Sequence, residues 1–177
     1  MERDDVHPVL TTPAAALAGK LRYLFVSLGV ISLDQWTKWL VEIHLPQHTS
    51  QQIIPSVLNL THVRNTGVAF GLFASHGMNG GSWLLTLLGL AALAAVAIYF
   101  WFASVHDRLL LVSLALVVGG AVGNVIDRLR LGYVVDFVEW FVGDFYWPVF
   151  NLADSCIVVG AVLMVVYSLT QREAPPV

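Results

Sequence analysis

Charge is what this chain has least of. Lys, Arg, Asp and Glu supply 12% of its 177 residues, while 57% are hydrophobic. Soluble domains carry roughly 25% charged and about 45–50% apolar residues, so this composition excludes an ordinary water-soluble fold and points to the bilayer. The formal net charge of −3 leaves no basic surface for nucleic acid. Cysteine is nearly missing as well. The single Cys156 excludes an intramolecular disulfide framework, and its apolar surroundings predict an inert buried thiol. A histidine metal site is not expected: His44 and His48 have i,i+4 spacing, but Pro46 breaks the helix that would align them. With His62 they are expected to be exposed loop histidines. The sequon Asn59-Leu60-Thr61 is too short a pattern to be informative.

Long apolar runs are what the chain does have. A helix needs roughly 20 predominantly apolar residues to cross the hydrocarbon core. Four segments meet that length: Leu21–His44, Trp83–Val105, Leu109–Arg130 and Val149–Thr170. The first is the most polar, with Asp34, Lys38 and Glu42. With Lys20 before it and Arg22 at its start, it imitates a signal peptide, but no A-x-A cleavage site follows, so it is expected to be retained. Arg3 and Lys20 precede the first run and Arg22 stands at its start, Arg108 lies between the second and third, and Arg172 follows the fourth. The positive-inside rule puts these three regions in the cytoplasm, against a modest opposing bias from Arg64, Arg128 and Arg130.

Two connections then face outward, 45–82 and 131–148. In IIPSVLNLTHV, residues Val57, Asn59, Thr61 and Val63 alternate with Leu58, Leu60 and His62, a period-two pattern that predicts a small sheet. Asn65-Thr66-Gly67 supplies a turn, and VAFGLF reads as a further strand or interfacial segment. The aromatic-rich YVVDFVEWFVGDFYW suits the headgroup level and is expected to be a short loop or helix. The expected architecture is an all-α integral membrane protein: a four-transmembrane-helix bundle with a small extracytoplasmic β-sheet and a short extracytoplasmic loop or helix between spans 3 and 4. Residues 1–20 form a cytoplasmic N-terminal extension without assigned function, 21–170 one membrane-embedded domain and 171–177 a cytoplasmic tail.

This topology gathers ionisable groups at one level. Asp34, Lys38 and Glu42 fall in the outer half of the first span. Asn124, Asp127 and Arg128 end the third, Asn151 and Asp154 begin the fourth, and Asp136 lies between those two. Ionisable groups within a membrane cost roughly 2.5–3.5 kcal/mol each on insertion scales and usually mark function. Asp34 and Lys38 stand four apart on one helix face, either neutralising each other for insertion or shaping a site or contacting a lipid headgroup. A Ser/Lys protease would need a serine beside Lys38, and none is identified. In Gly119-Gly120-Ala121-Val122-Gly123 the glycines permit close helix approach. Asn124, Asp127 and Arg128 form a structural polar clasp, a group that positions substrate or water, or a group that takes part in catalysis directly. Asp136 and Asp154 are the candidate catalytic pair, because neither has a neighbouring Lys or Arg. Burial raises a carboxyl's pKa, and a second carboxylate raises one of two further, so such a pair can share a proton and act as base and acid without a metal. The alternative is that Asp154 caps its helix.

Taken in order, Asp34-x-x-x-Lys38, Asn65-Thr66-Gly67-Val68-Ala69-Phe70, GGAVGNVIDR, Val135-Asp136-Phe137 and Phe150-Asn151-Leu152-Ala153-Asp154 resemble the bacterial lipoprotein signal peptidase family, signal peptidase II, over roughly Leu21 to Thr170. The resemblance implies an inner-membrane aspartyl endopeptidase that removes the signal peptide of prolipoproteins just before a diacylglyceryl-modified cysteine. It implies Asp136 and Asp154 as catalytic residues. Asp34, Lys38, Asn65, Gly67, Asn124, Asp127, Arg128, Asn151 and Ala153 are implied to support the site or contact substrate. It further implies no metal or other cofactor, membrane lipids as surroundings, inhibition by the cyclic peptide globomycin, and a monomer active near the outer leaflet. Competing readings are a proton-coupled transporter, for which the chain lacks a detectable internal repeat, and a structural membrane subunit.

Overall fold

The computed structural model describes residues 13–67 and 80–172. Four helices dominate: α1 (Pro13–His44), α2 (Gly80–Phe102), α3 (Arg108–Leu131) and α4 (Leu152–Arg172). Segments of α2, α3 and α4 are long and apolar enough to cross a membrane. α1 is longer, and Lys20, Arg22, Asp34, Lys38 and Glu42 punctuate it. It begins eight residues before the expected span, so the second part of the N-terminal extension continues the same helix. Leu45-Pro46 follows its end, as expected of a proline that cannot continue a helix.

α3 is the hub. It packs most extensively against α4, then α1, then α2. Between lipid-embedded helices no hydrophobic force favours contact, so close backbone approach and van der Waals fit must supply it. Small residues provide that approach here: Gly119 sits over Val30 and the Ser27 carbonyl, and Gly160 over the Ser113 carbonyl. On α1 the buried stripe is Tyr23, Ser27, Val30, Asp34, Lys38 and Val41, an i, i+4, i+7 seam that begins apolar and turns charged.

Both long connections contribute to one antiparallel sheet of order β1-β2-β3-β4: β1 Ser50–Ile54, β2 Leu58–Asn65, β3 Val134–Val142 and β4 Phe145–Tyr146. The sheet predicted from IIPSVLNLTHV is present as β1 and β2. The connection after α3 corrects the expectation of a loop or helix, and with it the all-α description. It is a strand, because its Val/Phe/Trp-rich run meets the open edge of β2, pairing Asn59 with Glu139 and Val63 with Asp136, where β-branched and aromatic side chains pack well. His62 is also a correction. It is buried, its Nδ1 2.8 Å from the Leu45 carbonyl, because β2 folds back on the segment after α1: the His48 N–H donates to the His62 carbonyl and the His62 N–H to the Thr49 carbonyl. Cys156 is half-buried rather than buried. The Val68-Ala69-Phe70 motif and the strand expected from VAFGLF lie outside the described residues.

Two apolar clusters flank a polar layer. One joins Tyr23, Ala103, Leu110, Leu111, Leu114 and Ala115. The other joins Val41, Val135 and Phe137 where α1 meets the sheet; burying such side chains contributes about 1.5–3 kcal/mol each.

Candidate active site

The layer between these clusters is built around Lys38. Its Nζ lies 2.8 Å from Asp34 Oδ2 and 2.9 Å from Asp127 Oδ2, and donates to Asn124 Oδ1 at 2.9 Å. Three N–H groups meet three acceptors, which leaves the ammonium no role as a base. Removing either partner would strand charge in a region where Asp34, Lys38 and Asp127 are all buried, a loss that costs about 3–5 kcal/mol. Gly123 makes the arrangement possible: a Cβ there would sit 2.5 Å from Asp34 Oδ2.

Asp136 enters from β3. Phe137 and Val138 donate to the Phe150 carbonyl at 3.0 and 2.8 Å, and Phe150 donates back to Val138 at 3.1 Å. This pairing brings Asn151 beside Asp136. Asn151 Nδ2 donates to Asp136 Oδ1 at 2.6 Å, and Asn65 Nδ2 donates to Asp136 Oδ2 at 2.8 Å. Asn65 is itself oriented by a hydrogen bond from the Gly67 N–H to its Oδ1, 2.8 Å. Gly67 has φ +82°, a left-handed turn conformation that glycine adopts without a Cβ clash. Burial, together with the charge of Asp154, pushes the Asp136 carboxyl up to about 6, against the opposing pull of the two asparagine amides and Lys38.

Asp154 occupies the first turn of α4, and the two readings of its position are compatible. Asn151 Oδ1 accepts from the Asp154 N–H at 2.9 Å, while Asp154 Oδ2 accepts from the Asn151 N–H at 3.2 Å. This is a reciprocal capping box with Asn in place of Ser/Thr and Asp in place of Glu. Asp154 Oδ1 accepts from Asn124 Nδ2 at 2.7 Å, so capping also fixes the direction of the carboxylate. Asn151 Nδ2 reaches Asn124 Oδ1 at 3.2 Å. Asp136, Asn151, Asn124 and Asp154 thus form one hydrogen-bonded chain. The half-buried Asp154 also lines a groove of 370 Å³ with Trp147, Phe150, Ser155, Val158 and Val159. Val158 and Val159 are exposed on the apolar flank of α4, so the groove opens toward the lipid side.

Of the residues singled out by sequence, Asp34, Lys38, Asn65, Asn124, Asp127, Asn151 and Ala153 all join this network directly. Gly67 acts through Asn65. Arg128 is half-buried beside it, its Nη1 3.5 Å from the carbonyl of Asn124, and lines a second groove with Trp83, Leu87 and Leu90. Glu42, grouped with these charges by sequence, is exposed. Gln35 escaped notice. Its Nε2 lies 2.8 Å from Asp127 Oδ1, 3.2 Å from the Gly123 carbonyl and 3.3 Å from Asp34 Oδ2. Adjacent residues on a helix do not face each other, so its place beside Asp34 carried no signal.

Apolar helices gathered around buried carboxylates define a multi-pass membrane protein. The family model described as Signal peptidase (SPase) II matches residues 26–170. The lipoprotein signal peptidase of Burkholderia thailandensis is 46% identical over 143 residues, 81% of this chain and 84% of that protein. That of Desulforapulum autotrophicum is 44% identical over 153 residues, 86% and 94% of the two chains. A solved bacterial membrane enzyme superposes with a TM-score of 0.69 at 31% identity, covering 88% of this chain and 93% of that one. The chain belongs to the signal peptidase II family and is a peptidase, as the ordered motifs led one to expect.

Proposed function

We propose that this protein cleaves the signal peptide from diacylglyceryl-modified prolipoproteins, just before the lipidated cysteine, with Asp136 and Asp154 activating water. The observation that carries this reading is the hydrogen-bonded chain from Asp136 through Asn151 and Asn124 to Asp154, beside a groove open to lipid.

In the proposed reaction Asp154, the less buried carboxylate, takes a proton from water as its oxygen attacks the scissile carbonyl carbon. Asp136, whose carboxyl is pushed up to about 6, supplies a proton to the amide nitrogen as the C–N bond breaks. The products are a carboxylate and an amine, and the pair passes its proton back before the next turnover. Arg128, whose charge interacts with those of Asp154 and Asp136, is assigned to offset negative charge that develops in the reaction. Asp34, Lys38, Asp127, Asn124, Asn151 and Ala153 hold the pair, and Asn65 with Gly67 orients Asp136.

The same proposal assigns four spans in a bacterial cytoplasmic membrane, α1 included, with both termini in the cytoplasm. The sheet and the site lie at the outer leaflet, and residues 21–170 act as one monomeric domain. A substrate whose acyl chains stay in the bilayer must be cut at that depth, which the groove along α4 allows. The test is to incubate purified protein with a diacylglyceryl-modified precursor, with and without chelator and globomycin. Cleavage that survives the chelator and is blocked by globomycin is expected; cleavage abolished by the chelator, or none of the lipidated precursor, would overturn the mechanism or the substrate assignment respectively.

A further inference from the structure

The residues immediately before the two aspartates are each held through the backbone. Ala153 donates its N–H to Asp34 Oδ1 at 3.0 Å, and Val135 donates its N–H to Asp127 Oδ2 at 3.2 Å. Asp34 and Asp127 are the two carboxylates that Lys38 bridges. From Asp154 the connection therefore runs back one residue to a backbone N–H, then to Asp34, Lys38 and Asp127, and through a second N–H to the residue before Asp136. Every group between Asp154 and Asp136 along it is buried.

We infer that Asp34, Lys38 and Asp127 form a backbone strap that sets the separation of the two reactive carboxylates, with Asp127 as the positioning residue for Asp136 and Asp34 for Asp154. The inference deepens the function proposed above and rests on it. Three features favour a strap over a simple neutralising pair. One basic residue serves two acids, so neutralisation alone leaves an acid in excess. Each acid spends an oxygen on a peptide N–H that belongs to neither α1 nor α3. Those two N–H groups are the ones adjacent to the pair. One would otherwise go unpaired at the start of α4, where first-turn N–H groups lack helical partners. The other belongs to Val135, which stands opposite Arg64 in the β2–β3 register, and it ties that strand to Asp127 of α3. Gly123 seats Asp34, and Gln35 seats Asp127 at its other oxygen.

The discriminating comparison is Asp127→Asn against Asp127→Ala. Both remove the same charge. Asn keeps a carbonyl oxygen where Oδ2 accepts from Lys38 and Val135 and gives up only the bond from Gln35 Nε2 to Oδ1. Ala removes the acceptor. A displacement of the reacting group by about 1 Å costs on the order of 10²-fold in rate. Asp127→Ala is therefore expected to lose on the order of 10²-fold more kcat than Asp127→Asn, with KM within about twofold. Its pH–rate profile should also move to lower pH, because an Asp136 released from its buried seat titrates nearer an ordinary carboxylate, while Asp127→Asn keeps the wild-type profile. Equal kcat and unshifted profiles in the two variants, at matched folded fraction, would overturn the strap. Should Asp127→Ala fail to fold, Asp34→Ala reads the other arm: lost kcat at constant KM supports the inference, and wild-type kcat contradicts it. Asp154→Asn is the separate control. If it cleaves at the wild-type rate, the catalytic reading fails; if it is inactive while the strap variants behave alike, only the strap fails.

Discussion

Asn151 carries more of the site than any other single residue. Its side chain accepts from the Asp154 N–H and donates to Asp136 and Asn124, while its own N–H donates to Asp154 Oδ2. Replacing it with Ala removes a helix cap, worth about 0.5–2 kcal/mol, together with the bridge between the aspartates. We expect a modest fall in thermal midpoint but a loss of kcat far larger than that fall accounts for; equal residual activity and stability would show that Asn151 serves only the helix. At Asp136 the pH dependence has a definite sign. Its folded value of about 6 lies above the ordinary 3.8, so its contribution to stability is fully present below 3.8 and lost as pH rises through about 6. Ionisation over the same range removes the proposed acid, so kcat/KM is expected to fall on the alkaline side with an apparent midpoint near 6, a property of the pair rather than of one residue. Because the charge of Asp154 helps raise Asp136, Asp154→Asn should lower the Asp136 titration when followed by carboxyl infrared absorption. An unchanged titration would separate the two groups electrostatically.

Between elements, the closeness of α1, α3 and α4 decides whether the carboxylates can meet at all. Gly123→Ala would put a methyl group against Asp34, and overpacking of this kind typically costs about 1–3 kcal/mol. We expect a lower unfolding midpoint and reduced turnover, read by thermal denaturation and precursor cleavage; a fully stable and active variant would mean that Asp34 has room to move. Periodicity explains what could be read in advance here. Asp34 with Lys38, Asn124 with Asp127, and Asn151 with Asp154 stand three or four apart, so a helix places each pair on one face whatever the partners are. β3 was not readable in the same way. Its Val134, Val135, Asp136 and Phe137 are all buried, so no alternation marks it, and its ladder joins Asn59 to Glu139, 80 residues apart. His62 was misread for a related reason: its burial depends on Leu45 and on the folding of β2 against the segment after α1, neither of which is local.

At the scale of the molecule, an acidic and amide layer is held between two apolar clusters, with the sheet over one of them. If the proposed topology holds, a membrane-impermeant maleimide should label Gln52→Cys from outside the cell and His106→Cys only after permeabilisation, both in a Cys156→Ser background. The reverse pattern would invert the protein. The polar layer also accounts for charged residues in the middle of α1, since Asp34 and Lys38 face α3 and α4 rather than lipid. Lys38 is shared with Asp127 of another helix, so no local stretch of sequence shows the arrangement.

The central claim is that Asp136 and Asp154 together activate water, and the rate of lipidated-precursor cleavage by Asp136→Asn and Asp154→Asn, each purified and shown folded by its thermal midpoint, tests it most directly. General acid–base catalysis contributes roughly 10²–10⁴-fold, so each variant is predicted to fall by at least about 10²-fold with the precursor still bound. Cleavage by either variant within a few-fold of the unaltered protein would contradict it.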